Sequence, residues 1–122
     1  SVLYCKHQYM SDDRICVAVR IRPVVGHEKY ETVCVRKADD NQTLVIKPEE
    51  TAANMGDTVT FKYDHVFDDG DDQAVVYQES VQELVDYALS GYNATVFTYG
   101  QTGSGKTYTI LGNLSSSHTL CS

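Results

Sequence analysis

Apolar and polar residues repeat with two periods along this chain, and the change between them marks out its elements. Over residues 15–22 (ICVAVRIR) the period is two, with Ile15, Val17, Val19 and Ile21 on one face and Cys16, Ala18, Arg20 and Arg22 on the other. So apolar a strand belongs in the interior of a sheet, and Pro23, which has no N–H to donate, stops it. Residues 33–37 and 43–47 flank the turn-forming Asp39, Asp40 and Asn41 and read as a small hairpin. Their shortness places them in a side lobe. Residues 58–67 (TVTFKYDHVF) read as one further strand, with Val59, Phe61 and Tyr63 on one side, closed by the acidic run 68–72.

From Asp72 the period becomes helical. Asp72 is suited to cap the first turn, and Val76, Tyr77, Val81, Leu84, Val85, Ala88 and Leu89 form one apolar stripe, with Gly91 placed to end the helix. Residues 94–99 (ATVFTY) then read as a short buried strand that runs directly into GQTGSGKT, and a helix begins at Lys106. Strand, helix, strand, glycine loop, helix is the order expected of an α/β fold with a parallel sheet. Residues 1–13 show no period and read as an irregular lead, residues 14–112 as the ordered part, and residues 113–122 as an irregular polar tail.

The 122 residues are enough for one domain of ordinary size, with 42% hydrophobic and 22% charged residues close to the globular average. No apolar run approaches the ~20 residues that cross a bilayer, and no signal peptide opens the chain, so the expectation is a soluble intracellular protein. Seventeen acidic against ten basic residues give a net charge of −7, which argues against nucleic acid or an anionic membrane as partner. No Lys or Arg occurs between Lys62 and Lys106, where eight acids fall; a solvated surface is the simpler reading, an acidic docking face the sharper one. Cys5, Cys16, Cys34 and Cys121 form no C-x-x-C pair, which makes zinc improbable, and Cys16 and Cys34 are expected as buried thiols.

Gly100, Gln101, Thr102, Gly103, Ser104, Gly105, Lys106 and Thr107 satisfy G-x-x-x-x-G-K-[S/T] in full. A polyphosphate needs several backbone N–H groups converging on it, and side chains would obstruct that approach. The loop delivers phosphate to a helix N-terminus, whose N–H groups and dipole favour negative charge. Lys106 would reach the β- and γ-phosphates, and the Thr107 hydroxyl would complete a Mg²⁺ shell. A chance match in a chain this long is about 0.4% on ordinary residue usage. The competing reading is a strand-to-helix turn with no ligand.

The flanking residues are more specific still. Residues 91–99 (GYNATVFTY) lead into GQTGSGKTYT, Arg20-Ile21-Arg22-Pro23 ends the first strand, and Phe67, Gln73 and Val76-Tyr77 lie between. Together these resemble the start of a kinesin motor domain over about residues 14–112, and within that family most resemble the chromokinesin-type group. The resemblance implies an α/β P-loop NTPase of the kinesin/myosin-like type, with a mixed sheet flanked by helices that is incomplete in this chain. It implies ATP and Mg²⁺ as cofactors, held by residues 100–107 with Thr107 on the metal. It implies that Arg20, Arg22 and Pro23 border the adenine and that the Tyr108 ring packs against the base. It further implies microtubules as the partner of the intact protein, and a place in the cytoplasm on the microtubule cytoskeleton. A microtubule surface is itself acidic, so this acidic segment alone is poorly suited to bind it.

Two apparent motifs are set aside. Val66-Phe67-Asp68 has too few apolar residues to be the acid-bearing strand that organises Mg²⁺, and it precedes the glycine loop; a surface loop is expected. Residues 113–118 (NLSSSH) lack the arginine of the family's N-x-x-S-S-R-S-H and stand too close to the loop. Neither that pattern nor a D-x-x-G follows, so the groups that orient water are not found and no catalytic residue is assigned. The expectation is negligible ATPase from this chain, read either as part of a motor or as a non-catalytic nucleotide- or partner-binding module, with a different P-loop NTPase as the third reading. Met10 marks a natural start before the first strand, which leaves residues 1–9 as an upstream lead. The resemblance also places a strand from later in the domain between residues 15–22 and 94–99. Without it, the two apolar strands would lack a shared neighbour and the chain would fold weakly.

Overall fold

The computed structural model describes residues 2–7, 15–26, 33–47 and 57–113. Among these described residues the main sheet has four strands: β1 (Val2–His7), β2 (Ile15–Arg20), β6 (His65–Phe67) and β7 (Ala94–Tyr99), in the order β6-β2-β1-β7. β6 and β2 run parallel, and β1 is antiparallel to both β2 and β7, so β2, β6 and β7 point the same way. Their carboxyl ends therefore reach one edge, which is where open α/β sheets bind ligands.

β1 is the main departure from expectation. Residues 2–7 are not an irregular lead but an interior strand, with Tyr4 opposite Val17 on one side and Phe97 on the other. The position that the family resemblance assigns to a later strand is taken here by the chain's own N-terminal segment. The physical reason is that two apolar neighbours leave backbone N–H and C=O groups unpaired unless some strand lies between them. Met10 and residues 114–122 of the tail lie outside the described residues.

β2 carries its predicted alternation into two separate cores. Ala18 packs with Phe67, Val76 and Leu84 beneath the helices, while Val19 packs with Val66 and Leu44 toward a second sheet. That sheet has the order β3-β4-β5, with β3 (Val35–Lys37), β4 (Thr43–Ile46) and β5 (Val59–Lys62) all antiparallel, so the side lobe forms as expected and gains a third strand. Asn41, in the left-handed region at φ 54°, turns β3 into β4, and Asp40 accepts from the Gln42 and Thr43 amides at 3.0 and 2.8 Å.

Residues 58–67 are two strands rather than one. The break falls at Asp64, whose amide donates to the Val17 carbonyl (3.0 Å) while its carboxylate accepts from the Val17 amide (2.8 Å). Locking Asp64 to β2 passes the chain from the small sheet to the main one. The single helix predicted from Asp72 is likewise two, α1 (Gln73–Ser80) and α2 (Gln82–Leu89), with Val81 between them at φ −126°. Ser80, buried, donates its hydroxyl to the Val76 carbonyl one turn back, a bond that competes with the backbone ladder and bends helices. Asp72 caps α1 as expected, accepting from the Val75 amide at 2.9 Å. The bend splits the predicted stripe: Val76 and Leu84 are buried, while Tyr77, Val85 and Leu89 are exposed. Cys16 and Cys34 are half-buried rather than fully buried. Among the described residues no helix is long and apolar enough to cross a membrane.

Candidate nucleotide site

The site grows out of the end of β7. Its alternate residues Ala94 and Val96 pack on the helix side, which anchors the strand that delivers the chain into residues 100–105. Gly103 and Gly105 stand at φ +82° and +90°, and a Cβ built on either would meet nothing within 4 Å. The glycines are thus required by backbone conformation, and the loop they form is open on its outer side. Gly105 caps α3 (Lys106–Leu111), a helix that runs to Gly112.

Lys106 reaches back over this loop. Its Nζ donates to the carbonyls of Gly100 and Gln101, both at 2.8 Å, so the ammonium sits at the loop's mouth with its hydrogen bonds made by backbone oxygen. Thr107 is exposed in the first turn of α3, beside it. Open glycines, a positioned ammonium and an accessible hydroxyl suit a polyphosphate with a hard cation such as Mg²⁺.

A cavity of about 490 Å³ lies next to Gly105. It brings together Arg20, Arg22 and Pro23 from the end of β2 with Tyr108 from α3, which lies more than eighty positions further along the chain. The Arg20 guanidinium lies over the Tyr108 ring at 5.1 Å from its centroid, a cation–π arrangement. Arg22 donates to the Pro23 carbonyl at 3.3 Å. The other predicted residues, Gly100 to Ser104, Lys106 and Thr107, form the adjoining loop and helix start and do not line this cavity.

Sequence reading missed two parts of the wall. Gln73 accepts from Arg20 at 2.7 Å and donates to the Thr109 carbonyl at 2.8 Å; these partners are 53 and 36 residues away, so no local pattern signals them. Asp68, Asp69, Asp71 and Asp72 also line the cavity and make part of its wall acidic. Of these, Asp71 accepts from Lys37 at 2.6 Å and from the Asp68 amide at 2.8 Å, and Asp68 lies 3.5 Å from the same ammonium. Partial burial works against the Lys37 charge, but Asp71 and Asp68 outweigh it and hold its pKa above the ordinary lysine value. Burial pushes the Asp71 carboxyl up, and the Lys37 ammonium together with the Asp68 backbone outweighs that, so it lies below the ordinary carboxylate value.

A strand that ends in a glycine loop opening a helix, where parallel neighbours also end, defines the P-loop class of nucleotide-binding α/β folds. Comparison with known proteins narrows the class, because the kinesin motor domain family matches residues 20–120. The kinesin-like protein klp-12 of Caenorhabditis elegans is 45% identical over 103 residues, covering 83% of this chain and 6% of that protein. The kinesin-like protein kif7 of Danio rerio is 39% identical over 104 residues, 85% of this chain and 7% of its own length. The human kinesin-like protein KIF19 is 38% identical over 108 residues, 83% of this chain and 11% of its length. The chain belongs to the kinesin motor domain family. That family comprises microtubule motors with ATPase activity that bind nucleotide with magnesium. The chain spans between 6% and 16% of the length of the curated relatives named here and their near equals. Membership in this family removes a different P-loop NTPase from the readings.

Proposed function

We propose that this chain is the ATP-binding portion of a motor whose intact form couples Mg·ATP hydrolysis to movement along microtubules, within the cytoplasmic microtubule cytoskeleton. Residues 100–107 take the phosphates, with Lys106 turning from the loop carbonyls to phosphate oxygen and Thr107 contributing its hydroxyl to Mg²⁺. Arg20, Arg22, Pro23 and Tyr108 border the adenine. The observation that carries this reading is the cavity beside Gly105, in which two arginines, a proline and a tyrosine from distant parts of the chain meet at the loop's edge. Bound Mg²⁺ supplies charge neutralisation between the phosphates; the chain's own residues supply binding and orientation.

Binding without turnover is the second part of the proposal. The sequence holds neither N-x-x-S-S-R-S-H nor D-x-x-G, the patterns that in this family carry the groups orienting the attacking water. Nucleic acid and membranes are not partners in this reading, and microtubules are partners of the intact protein rather than of this acidic segment. The test is titration of Mg·ATP into the 122-residue chain and its Lys106→Ala variant, with phosphate release followed with and without microtubules. The chain should bind, Lys106→Ala should bind at least roughly tenfold more weakly, and phosphate release should stay at background. Equal binding by the variant would remove the phosphate-loop assignment, and microtubule-stimulated release would remove the claim of binding without turnover.

A further inference from the structure

Gln73 is not a phosphate-loop residue and belongs to neither of the two strand ends that line the cavity. It occupies the first turn of α1, half-buried, between β2 and α3. Its amide oxygen accepts from the Arg20 Nη1 (2.7 Å) and its amide nitrogen donates to the Thr109 carbonyl (2.8 Å). Chemistry dictates this orientation of the amide. Reversed, the NH₂ would face a guanidinium that only donates, and the oxygen would face a carbonyl that only accepts.

Both ends of the bridge matter to one contact. Arg20 lies over Tyr108, and Tyr108 immediately precedes Thr109 on α3. The Thr109 carbonyl falls within the last turn of α3 and accepts from the Gln73 amide nitrogen, which ties α1 to that turn. One side chain therefore holds the guanidinium from one side and the helix that carries the ring from the other. An arginine side chain loses rotamer freedom when it is held in a single geometry, so a group that holds it beforehand lowers the cost of binding.

We infer that Gln73 is a positioning residue that sets the Arg20–Tyr108 stack for a purine base, so that the base contributes to affinity only while this bridge is intact. The inference rests on the adenine-site reading above and names a residue that acts through Arg20 and Tyr108 rather than on the nucleotide itself.

The test separates the base from the phosphates. Dissociation constants for Mg·ATP and for magnesium tripolyphosphate are measured on the 122-residue chain, and their ratio reports what the base adds. The unaltered chain should favour ATP. Gln73→Met, which keeps the volume and loses both hydrogen bonds, should lower that preference roughly threefold to tenfold. Arg20→Ala should lower it to a similar degree, and adding Gln73→Met to Arg20→Ala should lower it no further. If circular dichroism shows that Gln73→Met does not fold, Gln73→Asn, too short to span both partners, takes its place under the same criteria. A preference that survives loss of the bridge, or that falls equally in the Arg20→Ala background, overturns the role given to Gln73 and leaves the adenine site standing. An unaltered chain with no preference for ATP over tripolyphosphate overturns the adenine site, and the role of Gln73 with it.

Discussion

Gly105 and Lys106 are adjacent and do opposite things. Gly105 gives up a side chain so that the backbone can stand at φ +90°, and Lys106 uses its whole length to bring a charge back over the loop. Since a Cβ at position 105 would touch nothing, any cost of Gly105→Ala comes from backbone conformation and not from a clash. That cost should be roughly 1–2 kcal/mol, the penalty for an L-residue held in the left-handed region. A urea titration should show it as a lower midpoint with an unchanged slope. An unchanged midpoint would mean that the loop relaxes to a different conformation at no cost. These two residues were identifiable from sequence because the G-x-x-x-x-G-K-[S/T] spacing is local. The bridge made by Gln73 was not, because its two partners are brought to it by two other elements, β2 and α3.

At the scale of elements, the small sheet is tied to the loop after β6 by Lys37 on β3 and by Asp71. Asp71 has its pKa depressed by folding, so its contribution is fully present above the unfolded carboxylate value, about 4, and is lost as pH falls through the folded value. Lys37 has its pKa raised, so its share is fully present below the unfolded lysine value, about 10.4, and is lost as pH rises through the folded one. Between these limits the pair is intact. Asp71→Asn, which keeps an acceptor for the Asp68 amide, should cost about 1 kcal/mol at neutral pH. Thermal melts across the acid range should also show a shallower decline in stability below about pH 4 for the variant than for the parent chain. Equal decline in both would place the acid sensitivity elsewhere. The elements themselves were read from their periods with two errors of the same kind. Residues 58–67 and 72–91 each read as one continuous element, and each is divided by a tertiary hydrogen bond or a helix-bending hydroxyl, at Asp64 and Ser80.

For the whole molecule, β1 decides whether the main sheet is one sheet. It pairs along five positions with β2 and six with β7, so β7 joins the rest of the sheet through it. Tyr4→Pro would remove the N–H at the centre of that strand, between Val17 and Phe97, and with it a hydrogen bond of an interior strand, where proline is essentially not found. Amide-exchange protection should then be lost together across Ile15–Arg20 and Ala94–Tyr99, and the urea transition should broaden or vanish. Retained protection in both strands would show that β1 is not what joins them. The same arrangement changes the expectation of weak folding, which assumed that no strand stood between β2 and β7. It also sets the site, because β1 holds β2 and β7 apart by one strand and so fixes how far Arg20 stands from the glycine loop.

The sequence alone determined the glycine loop, the strand before it, the amphipathic alternation of β2 and the family, because each is written in residues close together in the chain. It also identified every cavity-lining arginine and the tyrosine, by resemblance rather than by spacing. Only the tertiary structure decided that residues 2–7 are an interior strand, that Arg20 lies over Tyr108, and that Gln73 joins them. The reason is physical: strand pairing and side-chain bridges depend on which backbone groups would otherwise go unpaired once distant segments meet. That condition exists in the folded chain and has no local signature in its letters.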